Sequence, residues 1–111
     1  RAARASLFTQ YQAHCPGLVV FTAGSEPVWY ARRAQPRKER IPFKVEVIDT
    51  AGAGDSFRGA MIHGLLRAWS DDDCLRFACA VSALVCTKAP GCVHSPSLAE
   101  TEAFLAARDP R

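Results

Sequence analysis

VIDTAGAGDSFRGAMIHGLL, Val47 to Leu66, is the most informative segment of this 111-residue chain. An apolar segment leads into Asp49-Thr50, and the small residues 51–54 then give way to residues with helical periodicity. A turn of small residues that opens a helix exposes unpaired N–H groups, and the helix dipole adds positive charge, so such a turn attracts phosphate. Asp55 stands at this point. Because a carboxylate repels phosphate, its presence requires a separate explanation.

Two interpretations of Asp55 are open. An acidic residue in the first turn of a helix stabilises that helix through its dipole, and an isolated G-x-G-D would favour this structural role. Alternatively, a carboxylate beside a phosphate site accepts the proton of an attacking hydroxyl, while amides and a metal ion stabilise the charge, as in phosphoryl transfer. Gly52 and Gly54 would let the backbone approach a ligand closely, and the neighbouring residues favour this second role.

The segment DTAGAGDSF, residues 49–57, closely resembles the D-T-x-G-A-G-D signature of the ribokinase-like carbohydrate kinases, the PfkB (phosphofructokinase B) family. VVFTAGSEPVWY, residues 19–30, resembles the strand and T-x-G-x-x-G turn of that family at its nucleotide. Residues 75–105 resemble its C-terminal end, with a buried small-residue helix beside the adenine. The similarity spans residues 18–105, and no Walker-type phosphate loop competes with it. It implies the C-terminal portion of a ribokinase-like three-layer α/β/α domain.

The resemblance also implies roles for individual residues. Asp55 matches the catalytic base, and the backbone amides of Gly52, Ala53 and Gly54 match the anion hole. The positions that match nucleotide contacts are Thr22, Gly24, Gly54 and, facing the adenine, Cys79. The positions that match a monovalent-cation loop are Asp49, Ala51, Gly91 and Ser95. The implied cofactors are ATP, Mg²⁺ and K⁺.

Two positions depart from the family pattern. Pro27 occupies the place of the second glycine of the nucleotide turn, and proline has a fixed φ and no N–H. Cys79 replaces a residue that is often asparagine, and a thiol offers no amide hydrogen bond to adenine. Both departures concern nucleotide binding and leave the phosphoryl-transfer site unaffected.

Composition excludes several other classes of protein. The net charge of +3 is too small to indicate nucleic-acid binding, and no apolar run has the length of a membrane span. The number of cysteines, five, is odd, and no two of them form a C-x-x-C pair. This pattern favours buried, reduced cysteines in the cytoplasm over a zinc site or disulfide bonds. The three histidines form no metal-binding pattern, and the basic segment 32–40 is typical of a solvated loop.

The patterns predict helices over residues 2–12, 54–69, 71–89 and 98–107, with Pro90-Gly91 ending the third helix. Ser70 and the Ser97–Glu100 capping box mark two of the helix starts. Strands are predicted at 18–22, buried on both faces as in a parallel sheet, at 28–31, and at 43–48. These predicted elements indicate an α/β fold with too few strands for a complete doubly wound sheet. Residues 1–111 therefore read as a single partial domain that lacks an N-terminal substrate and lid part.

The resulting prediction is an ATP-dependent kinase that phosphorylates a sugar or sugar-like hydroxyl, with no nucleic-acid or membrane partner. The family resemblance is compatible with a homodimer of the full-length protein. Two alternatives remain open, a nucleoside kinase of the same family and a non-catalytic ligand-binding or regulatory protein that retains the fold. The segment does not name the substrate. Expressed alone, residues 1–111 are expected to lack activity and to aggregate, because the sheet faces lack cover.

Overall fold

The computed structural model describes residues 2–90, 93 and 95–110 of the chain. The chain divides into two compact units, Arg1–Pro42 and Phe43–Arg111. The first contains one helix and a small sheet, and the second contains three helices. Each unit is described separately.

The first unit begins with helix α1 (Ala2–His14). Three strands follow, β1 (Val19–Phe21), β2 (Val28–Ala31) and β3 (Lys38–Arg40), and they form one antiparallel sheet in the order β1-β2-β3. Phe21 is opposite Trp29 in the first pair of strands, and Trp29 is opposite Glu39 in the second. The predicted helix at 2–12 and strand at 28–31 are thus confirmed.

The core of this unit lies between α1 and the sheet. Phe8, Val19, Trp29 and Ala31 are buried together. The ring of Phe8 meets the ring of Phe21 edge-to-face at 5.0 Å and that of Trp29 at 6.1 Å. Every residue of β2 is buried, so Trp29 serves as strand packing.

Two expectations for this unit were wrong. Strand β1 is not buried on both faces, because only Val19 is buried and Val20 and Phe21 are partly exposed. It pairs with β2 in antiparallel orientation. The basic segment 32–40 is not entirely a loop, since Lys38–Arg40 pairs with β2. Charged side chains are common on such edge strands because they discourage pairing with another chain, and this composition made the strand look like a loop.

The second unit contains α2 (Ala53–Leu66), α3 (Asp71–Cys86) and α4 (Leu98–Arg108). Helices α2 and α3 approach closely at Gly64, where a Cβ atom would lie 2.7 Å from Cys74 Sγ and 2.9 Å from Trp69 Cε3. Only glycine fits there. The prediction that α3 is buried is confirmed, with Cys74, Leu75, Ala78, Ala80 and Val85 inaccessible to solvent.

The ends of these helices differ from the predictions. Helix α2 stops at Leu66 and not at residue 69, because Ala68 adopts φ 58° and lets Trp69 N–H donate to the Gly64 carbonyl at 3.1 Å. Helix α3 stops at Cys86, before Pro90, and Gly91 lies outside the described residues.

The segment 43–48 is not a strand. Its alternation is visible in the exposure of its first four residues, but Val47 and Ile48 are both more than half exposed. A strand requires a hydrogen-bonded neighbour, and within the described part of the chain no strand pairs with this segment.

The capping box that opens α4 is confirmed. Ser97 Oγ accepts from the Glu100 amide at 3.1 Å, and Glu100 Oε1 accepts from the Ser97 amide at 3.2 Å. The hydrogen bond from the Ser97 amide, and after it one from the Ser97 side chain, hold the pKa of the Glu100 carboxyl below its ordinary value. At the other end of α4, Asp109 forms an ion pair with Arg76 of α3 at 2.9 Å. Among the described residues, no helix has the length and apolar character needed to cross a membrane.

Candidate active site

The N-terminus of α2 has an unusual start. Gly52 occupies the N-cap position with φ 78° and ψ 0°, a left-handed conformation, and no side chain caps the helix. The first intrahelical hydrogen bond runs from the Ser56 amide to the Gly52 carbonyl at 2.9 Å. The preceding amides of the first turn therefore receive no acceptor from the helix itself.

The amides of residues 52–54 differ in their surroundings. The Ala53 amide donates to the Thr50 carbonyl at 3.1 Å, which closes the turn that leads into the helix. Gly52 and Gly54 flank it in the same turn. No atom outside its own neighbourhood lies within 4 Å of a Cβ built on Gly54, so the space beside its backbone is open. The outer side of Gly54 is therefore accessible to solvent molecules or solutes.

Asp55 is fully accessible beside this turn. Its side chain is 86% exposed and its Oδ1 atom accepts from Arg58 Nη1 at 3.0 Å. The Arg58 side chain is 77% exposed as well, and an ion pair in water contributes little to stability. The carboxylate can consequently exchange this partner for a ligand hydroxyl. The i,i+3 spacing of Asp55 and Arg58 is visible in the sequence and could have predicted the pair.

The loop that precedes α2 is tied to the C-terminal end of α3. The amides of Ile48 and Asp49 both donate to the Cys86 carbonyl, at 2.8 and 3.2 Å. Asp49 Oδ1 in turn accepts from the Ala51 amide at 2.9 Å. These bonds fix Asp49 between the end of one helix and the start of the next.

This arrangement concentrates negative charge. The last carbonyls of α3 carry the negative end of its dipole, and the Asp49 carboxylate lies next to them. Burial, and secondarily the charge of Asp49, raises the pKa of the Cys86 thiol above its ordinary value. Of the other residues implied for a cation loop, Ser95 is exposed and Gly91 lies outside the described residues.

The residues implied in nucleotide binding lie in both units. Thr22 and Gly24 are exposed in the turn between β1 and β2, where Gly24 has φ 54° and the Glu26 amide donates to the Ala23 carbonyl at 2.9 Å. Cys79 belongs to α3 and is 4% exposed. The sequence analysis did not identify Arg4, which contacts the turn between β1 and β2. No local pattern in the sequence indicated this contact.

Comparison with known proteins identifies the family. The sequence profile described as pfkB family carbohydrate kinase matches residues 2–97. The chain belongs to the PfkB family. The resemblance inferred from DTAGAGDSF is therefore confirmed.

Relatives and solved structures agree with this assignment. The chain is 36% identical over 87 residues to a ribokinase of Haemophilus influenzae, covering 78% of this chain and 28% of the relative. It is 40% identical over 81 residues to a Dictyostelium discoideum protein named as an uncharacterized sugar kinase, covering 72% of this chain and 21% of that protein. The chain thus spans less than a third of the length of these two relatives.

A solved structure shows the corresponding fold. An Escherichia coli protein assigned as a ribokinase II, crystallised with ATP and Mg²⁺, superimposes with a TM-score of 0.82 at 25% identity. The match covers 96% of this chain and 34% of that protein. The fold prediction, a portion of a ribokinase-like α/β domain, is confirmed.

Proposed function

We propose that the parent polypeptide, the longest natural chain that contains residues 1–111, is an ATP-dependent kinase that phosphorylates a hydroxyl of a sugar or sugar-like substrate. One observation carries this proposal. The helix start at Gly52 has no side-chain cap, is open beside Gly54, and presents an exposed Asp55 within three residues. The relatives named above, a ribokinase and a sugar kinase, support a sugar as the substrate class.

The roles follow from the chemistry of each group. Asp55 accepts the proton of the attacking hydroxyl, since its carboxylate is exposed. The anion hole consists of the amides of Gly52, Ala53 and Gly54, and the negative charge of the transferred phosphoryl group lies against them. Gly52 and Gly54 flank the Ala53 amide, which already has the Thr50 carbonyl as acceptor. Mg²⁺ bound with ATP supplies charge neutralisation at the phosphates.

Nucleotide binding would use the remaining implied residues. In the family pattern the turn that contains Thr22 and Gly24, which is exposed here, would contact the nucleotide. Cys79, the position that the pattern places against the adenine, is 4% exposed in α3. Pro27 removes one N–H from this turn, and Cys79 replaces an amide with a thiol. This chain therefore offers ATP fewer hydrogen bonds than the family pattern does.

A monovalent cation, K⁺ in the first instance, would bind beside Asp49 and the carbonyls of the loop around Ala51, with Gly91 and Ser95 from the segment after α3. The clustering of negative charge at Asp49 and the end of α3 supports this site. A cation there would hold the turn in place. Activity should be higher in potassium chloride than in tetramethylammonium chloride at equal ionic strength. Equal rates in the two salts would remove the cation from the mechanism.

The function is tested with the parent polypeptide, ATP and Mg²⁺ on a panel of hexoses, ketoses and nucleosides, with the phosphorylated product identified by mass spectrometry. Transfer to a sugar supports the proposal. Transfer only to a nucleoside would instead indicate a nucleoside kinase. Tight ATP binding with no transfer to any acceptor would indicate a regulatory protein that retains the fold.

A further inference from the structure

Arg4 of α1 reaches across to the turn between β1 and β2. Its Nη2 atom donates to the Phe21 carbonyl at 3.3 Å and to the Pro27 carbonyl at 3.3 Å. Phe21 is the last residue of β1, and Pro27 immediately precedes β2. A single guanidinium nitrogen therefore joins the two ends of the six-residue turn 22–27.

The guanidinium is itself held in position by Trp29. The Cζ atom of Arg4 lies 4.1 Å from the centroid of the Trp29 ring, a cation–π distance. Trp29 is 2% exposed and packs edge-to-face against Phe8, one helical turn after Arg4. The indole Nε1–H is buried and has no acceptor among the described residues. Packing and the guanidinium therefore fix this ring, which forms a rigid support behind Arg4.

The turn needs such a connection because of its own sequence. Pro27 has no N–H and cannot donate a hydrogen bond across the turn, although its carbonyl can still accept one. Gly24 adopts φ 54°, a conformation that glycine also leaves easily. Inside the turn, the Glu26 amide donates to the Ala23 carbonyl. The two bonds from Arg4 add to the β1–β2 ladder, which pairs Phe21 with Trp29 beside the turn.

We propose that Arg4 is a positioning residue for the nucleotide. It holds the turn 22–27 in the shape that presents Thr22 and Gly24 to ATP, and so compensates for proline at position 27. This inference rests on the proposed function. It concerns the affinity for ATP and not the transfer step, since Arg4 contacts carbonyls behind the turn and is not a catalytic residue.

Arg37 provides a matched control. Its Cζ atom lies 3.8 Å from the same Trp29 centroid, so it shares the cation–π contact. The hydrogen bonds to the Phe21 and Pro27 carbonyls come from Arg4. Replacing Arg37 thus removes one cation from Trp29 and leaves the link across the turn intact. Arg33, an exposed residue of the same unit, controls for loss of positive charge.

The experiment compares the wild-type parent polypeptide with Arg4→Ala, Arg4→Lys, Arg37→Ala and Arg33→Ala. Steady-state kinetics give KM for ATP, KM for the acceptor and kcat, and hydrogen exchange reports on residues 22–27 and, as a reference, 71–86. For Arg4→Ala, KM for ATP should rise about tenfold, because both hydrogen bonds from the guanidinium to the turn are lost, with kcat nearly unchanged. Exchange should accelerate in 22–27 but not in 71–86. For Arg4→Lys, KM for ATP should lie between the values for the wild type and Arg4→Ala, because an ammonium lacks the forked donors of a guanidinium.

The outcomes separate the two proposals. An active wild type whose KM for ATP is the same in Arg4→Ala would overturn the role of Arg4 and leave the kinase function standing. An equal rise in Arg37→Ala would also overturn it, because stacking on Trp29 would then be responsible. A folded wild type that neither binds ATP nor transfers phosphate to any acceptor would overturn the proposed function and the role of Arg4 together. Faster exchange throughout Arg4→Ala would indicate a structural role and contradict positioning.

Discussion

Helices α2 and α3 begin in different ways, although both carry acidic residues in the first turn. Helix α3 has Ser70 at its N-cap, and the Ser70 Oγ atom accepts from the Asp73 amide at 3.1 Å. Helix α2 has Gly52 in a left-handed conformation and no side-chain cap. Helix α4, the third helix of the same unit, has a complete capping box. The start of α2 is thus the exception among the three.

This difference separates the two interpretations of an acid at a helix start. A capping side chain contributes roughly a few tenths of a kcal/mol relative to glycine at the same position, and α2 forgoes it. No side chain occupies the first-turn amides of α2, although the Ala53 amide donates to the Thr50 carbonyl. Asp71, Asp72 and Asp73 fit the structural role, since they accompany a capped start. Asp55 accompanies an uncapped one, as expected where the amides serve a ligand.

The largest expected effect is on Asp55. In the parent polypeptide, Asp55→Asn keeps the shape of the side chain and removes the proton acceptor, so kcat should fall by about 10²–10⁴-fold, as for loss of a general base. Nucleotide affinity should be unchanged or slightly improved. Asp72→Asn, in the exposed first turn of α3, is the matched control and should leave kcat unchanged. If Asp55→Asn retained a large share of kcat, the comparison between the two helices would have no catalytic meaning.

The next effect concerns Gly54. Because a Cβ at this position meets open space in the protein, Gly54→Ala and Gly54→Val should fold with little change in melting temperature. Their side chains would nevertheless occupy the space that a phosphoryl group requires. Activity should fall with side-chain size and, for Gly54→Val, by at least about 10²-fold, comparable to the loss of an anion-hole donor. Near-normal turnover in folded Gly54→Val would remove this turn from the mechanism.

The smallest effect is expected at the start of α3. Ser70→Ala removes the cap of the Asp73 amide and should lower the free energy of unfolding by about 1 kcal/mol. Since that helix start has no ligand in this scheme, kcat should stay at the wild-type value. Chemical denaturation and steady-state kinetics on the same preparation measure both quantities. A variant of normal stability with reduced kcat would reverse the assignment of roles to the two helices.

Much of the second unit could be predicted from sequence. The helices α2, α3 and α4 follow from apolar periodicity, and the two serine caps follow from side chains that bond to the adjacent backbone. These are local interactions, which a sequence displays directly. The end of α2 was misplaced because Ala68 adopts a left-handed conformation that its residue type does not signal.

Non-local features were harder to predict. Residues 43–48 alternate as a strand does, but pairing depends on a neighbour elsewhere in a fold, which periodicity alone does not reveal. Strand β3 was hidden in a basic segment for the same reason. At the candidate site, DTAGAGDSF located the turn and Asp55. Two contacts could be seen only in the structure. These are the hydrogen bond from the Ala53 amide to the Thr50 carbonyl and the hydrogen bonds from Arg4 to the ends of the turn 22–27.

The difference between the two helix starts can be measured at the amides themselves. The parent polypeptide, labelled with ¹⁵N, is titrated with ATP and Mg²⁺, and the amide resonances of Gly52, Gly54, Asp73 and Cys74 are followed. If the start of α2 binds the phosphates, the Gly52 and Gly54 resonances shift with saturable dependence on ATP, whereas those of Asp73 and Cys74 at the capped start of α3 stay in place. Unmoved Gly52 and Gly54 resonances at saturating ATP, or equal shifts at both helix starts, would contradict an anion site at α2.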